Sequence, residues 1–209
     1  MMITKQELKE FSKTNLYFAQ DCFIENENSF SLMVVILAKK DGKKAIITKI
    51  LNADEVENRL VYLAKLGLDL GIKTNFTKEF DSTDAIFVIS EAWMSKQKGD
   101  KDKFDKKLED GEILMPSKDP NKMEVLISSG CSSDNLSVSE FKIIRRLLTS
   151  NGKVEIKFED LKEIKDKDGK DKEQIEVKSP LLEEFWKAFN FIKNKTEKEK
   201  LSNNLQKNA

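Results

Sequence analysis

Apolar residues recur along this chain at two spacings, three to four residues apart in some stretches and every second residue in others. Residues 4–11, TKQELKEF, set Thr4 and Glu7 at capping-box distance ahead of Leu8 and Phe11 on one helical face, which predicts a first helix. Residues 30–51 hold two β-rich runs joined at Asp41-Gly42, a pair that tolerates the positive φ of a tight hairpin turn. The first run is apolar without interruption, so it is expected to be buried on both faces inside a sheet. Over residues 54–70, Val56, Leu60, Leu63, Gly67 and Leu70 keep helical spacing and predict an amphipathic helix across that sheet.

A further strand is expected from about residue 83 to 94, a short one over 123–128, and a second hairpin over 138–158 turning at Asn151-Gly152. Asp168-Gly169 offers a third turn, with KEQIEVK returning as an edge strand. In SPLLEEFWKAFNFI, Ser179 stands at the N-cap and Pro180 at the first helical position, ahead of a stripe of Leu182, Phe185, Trp186, Phe189 and Ile192. The order of elements predicts an α+β fold: a single, largely antiparallel mixed-order sheet of about six to seven strands with helices packed on it, since strict strand–helix alternation is missing. One domain over residues 1–192 is expected, interrupted at 95–121 by a charged loop insertion and followed at 193–209 by a frayed polar tail.

Composition removes more functions than it suggests. The chain has no histidine, which excludes Ser-His-Asp and Cys-His nucleophiles and histidine-ligated zinc. Its 37 basic and 37 acidic residues cancel, so a dedicated nucleic-acid surface is not supported. Cys22 and Cys131 lack metal-knuckle or redox spacing and read as free thiols of a reducing cytoplasm. The N-terminus is charged where a signal peptide is apolar, and the longest wholly apolar run, residues 32–38, falls far short of the ~20 residues of a membrane span, so a soluble cytoplasmic chain is expected. Walker and Gly-x-Gly-x-x-Gly loops are absent. IKDKDGKDKEQI fails as a calcium loop because isoleucines fill its first and last ligand places. Glu155-x-Lys157 has a nuclease-like pattern, yet Glu7/Lys9, Glu163/Lys165 and Glu176/Lys178 repeat it, which empties it of meaning. No cofactor is expected. SSGCSSDN, residues 128–135, reads as an ordinary polar connection that, as a loop, has backbone N–H groups to offer an anion.

One strand does raise a chemical question. In AIFVISEAWMS, Glu91 shares a face with Ala85, Phe87, Ile89 and Trp93, and a carboxylate among apolar neighbours needs a cation, donors or a proton. Arginine is scarce here, with Arg59, Arg145 and Arg146 against 34 lysines, and a guanidinium grips a carboxylate bidentately where an ammonium does not. Arg145 or Arg146 is therefore the expected partner of Glu91. With Asp119 and Glu124 they form the candidate polar cluster: Glu91, Asp119, Glu124, Arg145 and Arg146. The favoured function is a non-catalytic binding or assembly module that meets another protein, or itself, through its sheet edge, aromatic helix or charged loop. The alternative is a metal-dependent hydrolase or nuclease whose oxygen ligands are Glu91, Asp119 and Glu124.

Overall fold

The fold was taken from a computed structural model, which describes residues 3–25, 32–51, 58–94, 118, 120, 122–160 and 179–207, with side chains to residue 198. The described elements run α1 (Lys5–Glu25), β1 (Leu32–Lys40), β2 (Lys43–Leu51), α2 (Arg59–Asn75), β3 (Ser82–Met94), β4 (Met123–Ser132), β5 (Ser137–Leu148), β6 (Val154–Glu159) and α3 (Pro180–Lys207). The strands form one six-stranded antiparallel sheet in the order β2-β1-β3-β4-β5-β6. This is the α+β architecture that the order of elements predicts.

The two described hairpin turns sit where the sequence places them. Asp41 and Gly42 have φ of 52° and 72°, and Gly152 has φ of 78°. The capping box closes reciprocally: the Thr4 N–H donates to Glu7 Oε2 at 2.9 Å and the Glu7 N–H to Thr4 Oγ1 at 3.2 Å. Glu7 is held below the usual carboxylate range chiefly by that backbone hydrogen bond. The second helix starts later than the apolar spacing suggests, because Asn58 is extended and its side chain caps the Val61 N–H, so α2 opens at Arg59 and not at residue 54. Val56 lies outside the described residues.

Two cores sandwich the sheet. On one face α1 packs Leu8, Leu16, Ala19 and Phe23 against Phe87, Ile89, Leu126 and Ile144. On the other, α2 and α3 pack Leu63, Leu70, Phe185 and Phe189 against Val34, Ile36, Ile86 and Val88. Strand β1 is buried along most of its length, as its unbroken apolarity predicts. The α3 stripe is consumed internally: Leu182, Phe185, Trp186, Phe189 and Ile192 are all buried, with edge-on rings at 5.1 Å between Phe185 and Trp186 and 5.2 Å between Trp186 and Phe189. Each such side chain stabilises the fold by roughly 1.5–3 kcal/mol. The stripe ends at Ile192, where a tail is expected, while the backbone continues as helix to Lys207.

The SSGCSSDN segment is corrected by the structure. Residues 128–132 are not a loop but the second half of β4, paired with β3 on one side and β5 on the other, so their backbone groups are committed to ladders. The buried hydroxyls find partners too: Ser12 Oγ donates to the Ser128 carbonyl at 3.0 Å, and the Ser129 and Ser139 hydroxyls lie 3.1 Å apart. Gly130 makes room for the buried Phe87 ring; a Cβ there would meet the ring at 2.5 Å. The insertion at 95–121, apart from residues 118 and 120, and the hairpin expected around residue 168 lie outside the described residues.

Candidate functional site

Antiparallel partners project to the same side of a sheet, so the register assigns each candidate residue a face. Glu91 stands opposite Leu126, Trp93 opposite Glu124, and Leu126 opposite Lys142. Glu91, Glu124 and Arg146 therefore share the face covered by α1, near the end of the sheet where β3 finishes and β4 begins. Arg145 projects from the other face and pairs with Glu159, its Nε 3.1 Å from Oε2. It is thereby removed as a partner of Glu91. Asp119 lies outside the described residues.

Arg146 makes the fork expected of an arginine in a lysine-rich chain, with Glu124 as the gripped carboxylate. Its Nε donates to Glu124 Oε2 at 2.9 Å and its terminal nitrogen to Oε1 at 2.6 Å. Its guanidinium carbon also stands 5.5 Å from the ring centre of Phe23 on α1. The guanidinium is held above its usual value first by the hydrogen bond to Glu124, with the charge of Glu91 adding in the same direction. Alongside, Trp93 is 46% exposed and carries the Lys122 ammonium 4.4 Å from its ring centre. The cluster is thus a neutralised knot of charges and rings under the end of α1. Among the described residues no three Asp, Glu or Cys side chains gather closely enough to hold a metal ion.

A second feature occupies the same face at the opposite margin of the sheet. Helix α1 packs chiefly on β3, β4 and β5, and Met33, Val35 and Leu37 of β1 are buried on that face, so among the described residues it is the α1 side of β2 that is least covered. Residues Ile46 and Ile50 of β2 stand opposite Leu37 and Met33, both members of the α1-side core, yet remain 61% and 45% exposed. Between this flank and the start of α1 runs a shallow cleft floored by Ile3, Phe11, Leu37 and Ile46. Its rim carries Glu7, Lys39, Lys44 and Asp84, with Lys39 and Asp84 paired at 4.0 Å and Lys44 drawing on Glu7. Alternation in KKAIITKIL marks a strand, but which face α1 leaves open is a matter of tertiary packing, so these two isoleucines carry no sequence signal of their own.

No helix of the described residues is long and apolar enough to cross a membrane. Comparison of the chain with protein-family models, curated proteins and solved structures finds no match in any of the three. Any functional reading therefore rests on the geometry above.

Proposed function

We propose that this chain is a cytoplasmic, non-catalytic binding or assembly module that receives another polypeptide along the β1–β2 flank of its sheet. The observation that carries the reading is the pair Ile46 and Ile50, exposed on a face whose other half is sealed by α1, at an edge strand nine residues long. Exposed apolar side chains beside an open strand edge offer an incoming chain both backbone hydrogen bonds and burial. Of the three surfaces considered from sequence, the aromatic stripe of α3 is spent on the core and the charged loop, apart from residues 118 and 120, lies outside the described residues, so the sheet edge is the one whose geometry supports the reading. Cys22, within the α1-side core, and Cys131, packed against the α2–α3 side, cannot bridge each other, and the cytoplasmic assignment rests on the sequence, whose two isolated cysteines form no disulfide framework.

The metal-dependent alternative gains nothing from the geometry, since both oxygens of Glu124 already face the Arg146 fork. Capture experiments from a lysate of source cells test the module reading, comparing the wild-type chain with an Ile46→Lys/Ile50→Lys variant. A protein retained by the former and lost by the latter is the expected result; equal retention by both overturns the flank as the binding surface. In parallel, Mg²⁺ or Mn²⁺ is expected to leave the melting temperature unchanged, whereas a marked rise would favour the metal reading, because a ligand specific to the folded state must stabilise it.

A further inference from the structure

We propose that β2 is a self-pairing edge, on which a second copy of this chain docks antiparallel about a two-fold axis through Thr48, joining two six-stranded sheets into one. This deepens the module reading by naming its partner, and rests on that reading. The hairpin turn fixes which backbone groups are available. With Asp41 and Gly42 as the two turn residues, Lys40 and Lys43 form the closing hydrogen-bonded pair. Ala45, Ile47, Lys49 and Leu51 therefore direct N–H and C=O toward β1, while Lys44, Ile46, Thr48 and Ile50 direct theirs outward. Among the described residues no strand lies beyond β2.

The side chains then select the register. An axis through Thr48 sets Ala45 opposite Leu51, Ile46 opposite Ile50 and Thr48 opposite itself, with Ile47 meeting Lys49. The segment AIITKIL is close to a palindrome about that threonine. Every outward-pointing residue within it meets another outward-pointing residue, so each such pair exchanges two hydrogen bonds. Apolar pairs and a Thr–Thr pair are favourable cross-strand combinations. Moving the axis to Ile47 breaks the apolar matches, placing Lys44 against Ile50 and Lys49 against Ala45. Moving it to Ile46 sets Lys43 against Lys49, and parallel in-register stacking opposes lysine to lysine at 43, 44 and 49. Like charges directly opposite destabilise a pair, which disfavours the Ile46 axis and parallel stacking, while the Ile47 axis sets three lysines against apolar residues where the Thr48 axis sets only Lys49 against Ile47.

Burial and charge point the same way. The two-fold lies perpendicular to the sheet and keeps faces matched, so Ile46 and Ile50 of both copies join into one patch on the flank that α1 leaves open. The formal net charge of zero removes long-range repulsion between copies. Among the described residues the other edge, β6, is the shorter platform, six residues against the nine of β2. Paired edge strands bury less than the roughly 1,200 Å² of a standard stable interface, which makes the dimer a reversible one.

Sedimentation velocity on the full chain across a wide concentration range, with circular dichroism as the fold control, tests the proposal. The wild-type chain is expected to pass from monomer to dimer as concentration rises. Thr48→Pro leaves the β1–β2 ladder intact because the Thr48 N–H points outward, and it is expected to abolish dimerisation. Thr48→Lys, which retains the backbone donor, sets two ammonium groups against each other on the axis and is expected to weaken association more than about tenfold. Under mild oxidation Thr48→Cys is expected to form an inter-copy disulfide, its paired Cα atoms standing about 5.5 Å apart, whereas Ile47→Cys is not, at about 8 Å from its copy. A monomer at every concentration, dimerisation indifferent to both Thr48→Pro and Thr48→Lys, or cross-linking through Ile47→Cys in place of Thr48→Cys overturns it. If the chain stays monomeric while Ile46 and Ile50 still govern capture of a different protein, self-pairing fails and the module reading stands; if that capture is also independent of them, both fail.

Discussion

Two adjacent arginines, flanked on both sides by apolar residues, have opposite fates. Arg145 reaches an exposed Glu159 through one nitrogen, while Arg146 grips a largely buried Glu124 through two and rests on Phe23. Exposed single-contact pairs contribute little, because side-chain entropy and solvent screening offset the attraction. A bidentate pair over an aromatic ring retains more. Arg145→Lys is therefore expected to change unfolding free energy by less than about 0.5 kcal/mol and Arg146→Lys to cost about 1 kcal/mol, measured by urea denaturation. Equal effects would show that the fork is decorative. The scarcity of arginine made this position legible in the sequence. Its partner was harder to see, because Glu91 and Glu124 stand on the same face of neighbouring strands and only the strand register makes both of them neighbours of Arg146.

At the scale of elements, local chemistry was readable and tertiary closeness was not. Reciprocal capping at Thr4 and Glu7, both hairpin turns and the Ser179-Pro180 helix start follow from short-range rules that need no neighbours. The polar run at 128–132 misled because small hydroxylated residues normally mark loops, and the partners that let them be buried, Ser12 and Ser139, come from distant elements. Gly67 in α2 hides a similar long-range constraint. A Cβ there would lie 2.3 Å from the Phe185 carbonyl oxygen, a backbone atom that cannot swing aside, whereas at Gly71 the nearest atoms, Ile192 Cβ and the Phe189 carbonyl oxygen, would lie 3.0 and 3.1 Å away and need give only a few tenths of an ångström. Gly67→Ala is therefore expected to push α3 off α2 and cost about 3 kcal/mol, and Gly71→Ala markedly less, by thermal or urea unfolding. The capping box makes its own forecast. The folded-state carboxyl of Glu7 titrates below its unfolded value, so its stabilisation is present above about pH 4.3 and fades as pH falls through the lower folded value. Glu7→Gln should flatten the acid limb of the stability profile in that window.

For the whole molecule, the sheet is a partition that gives its two faces different tasks and keeps the two thiols apart. Helices α2 and α3 cover one face over the central strands and α1 covers part of the other, which leaves Ile46 and Ile50 of β2 among the exposed apolar side chains. This asymmetry follows from the number and placement of helices, a global property that no local pattern encodes, and it turns the edge strand into the proposed site. The same partition places Cys22 on the buried face of α1 and Cys131 beside Trp186 on the far side. Burial pushes both thiols up; the charges of Glu25 and Asp21 add to the effect at Cys22, while the Trp186 indole N–H pulls the other way at Cys131. A thiol whose folded value exceeds its unfolded one favours folding below the unfolded value of about 8.5, and that contribution drains away as pH rises through the folded value. The melting temperature is thus expected to fall as pH rises above about 8.5, and a Cys22→Ala/Cys131→Ala variant should show a shallower decline. Thiol labelling supplies the independent check. With the thiolate disfavoured and access restricted, a bulky disulfide reagent should modify both cysteines far more slowly in the native chain than after unfolding, and rapid native labelling of both would mean that the two cores are not closed over them.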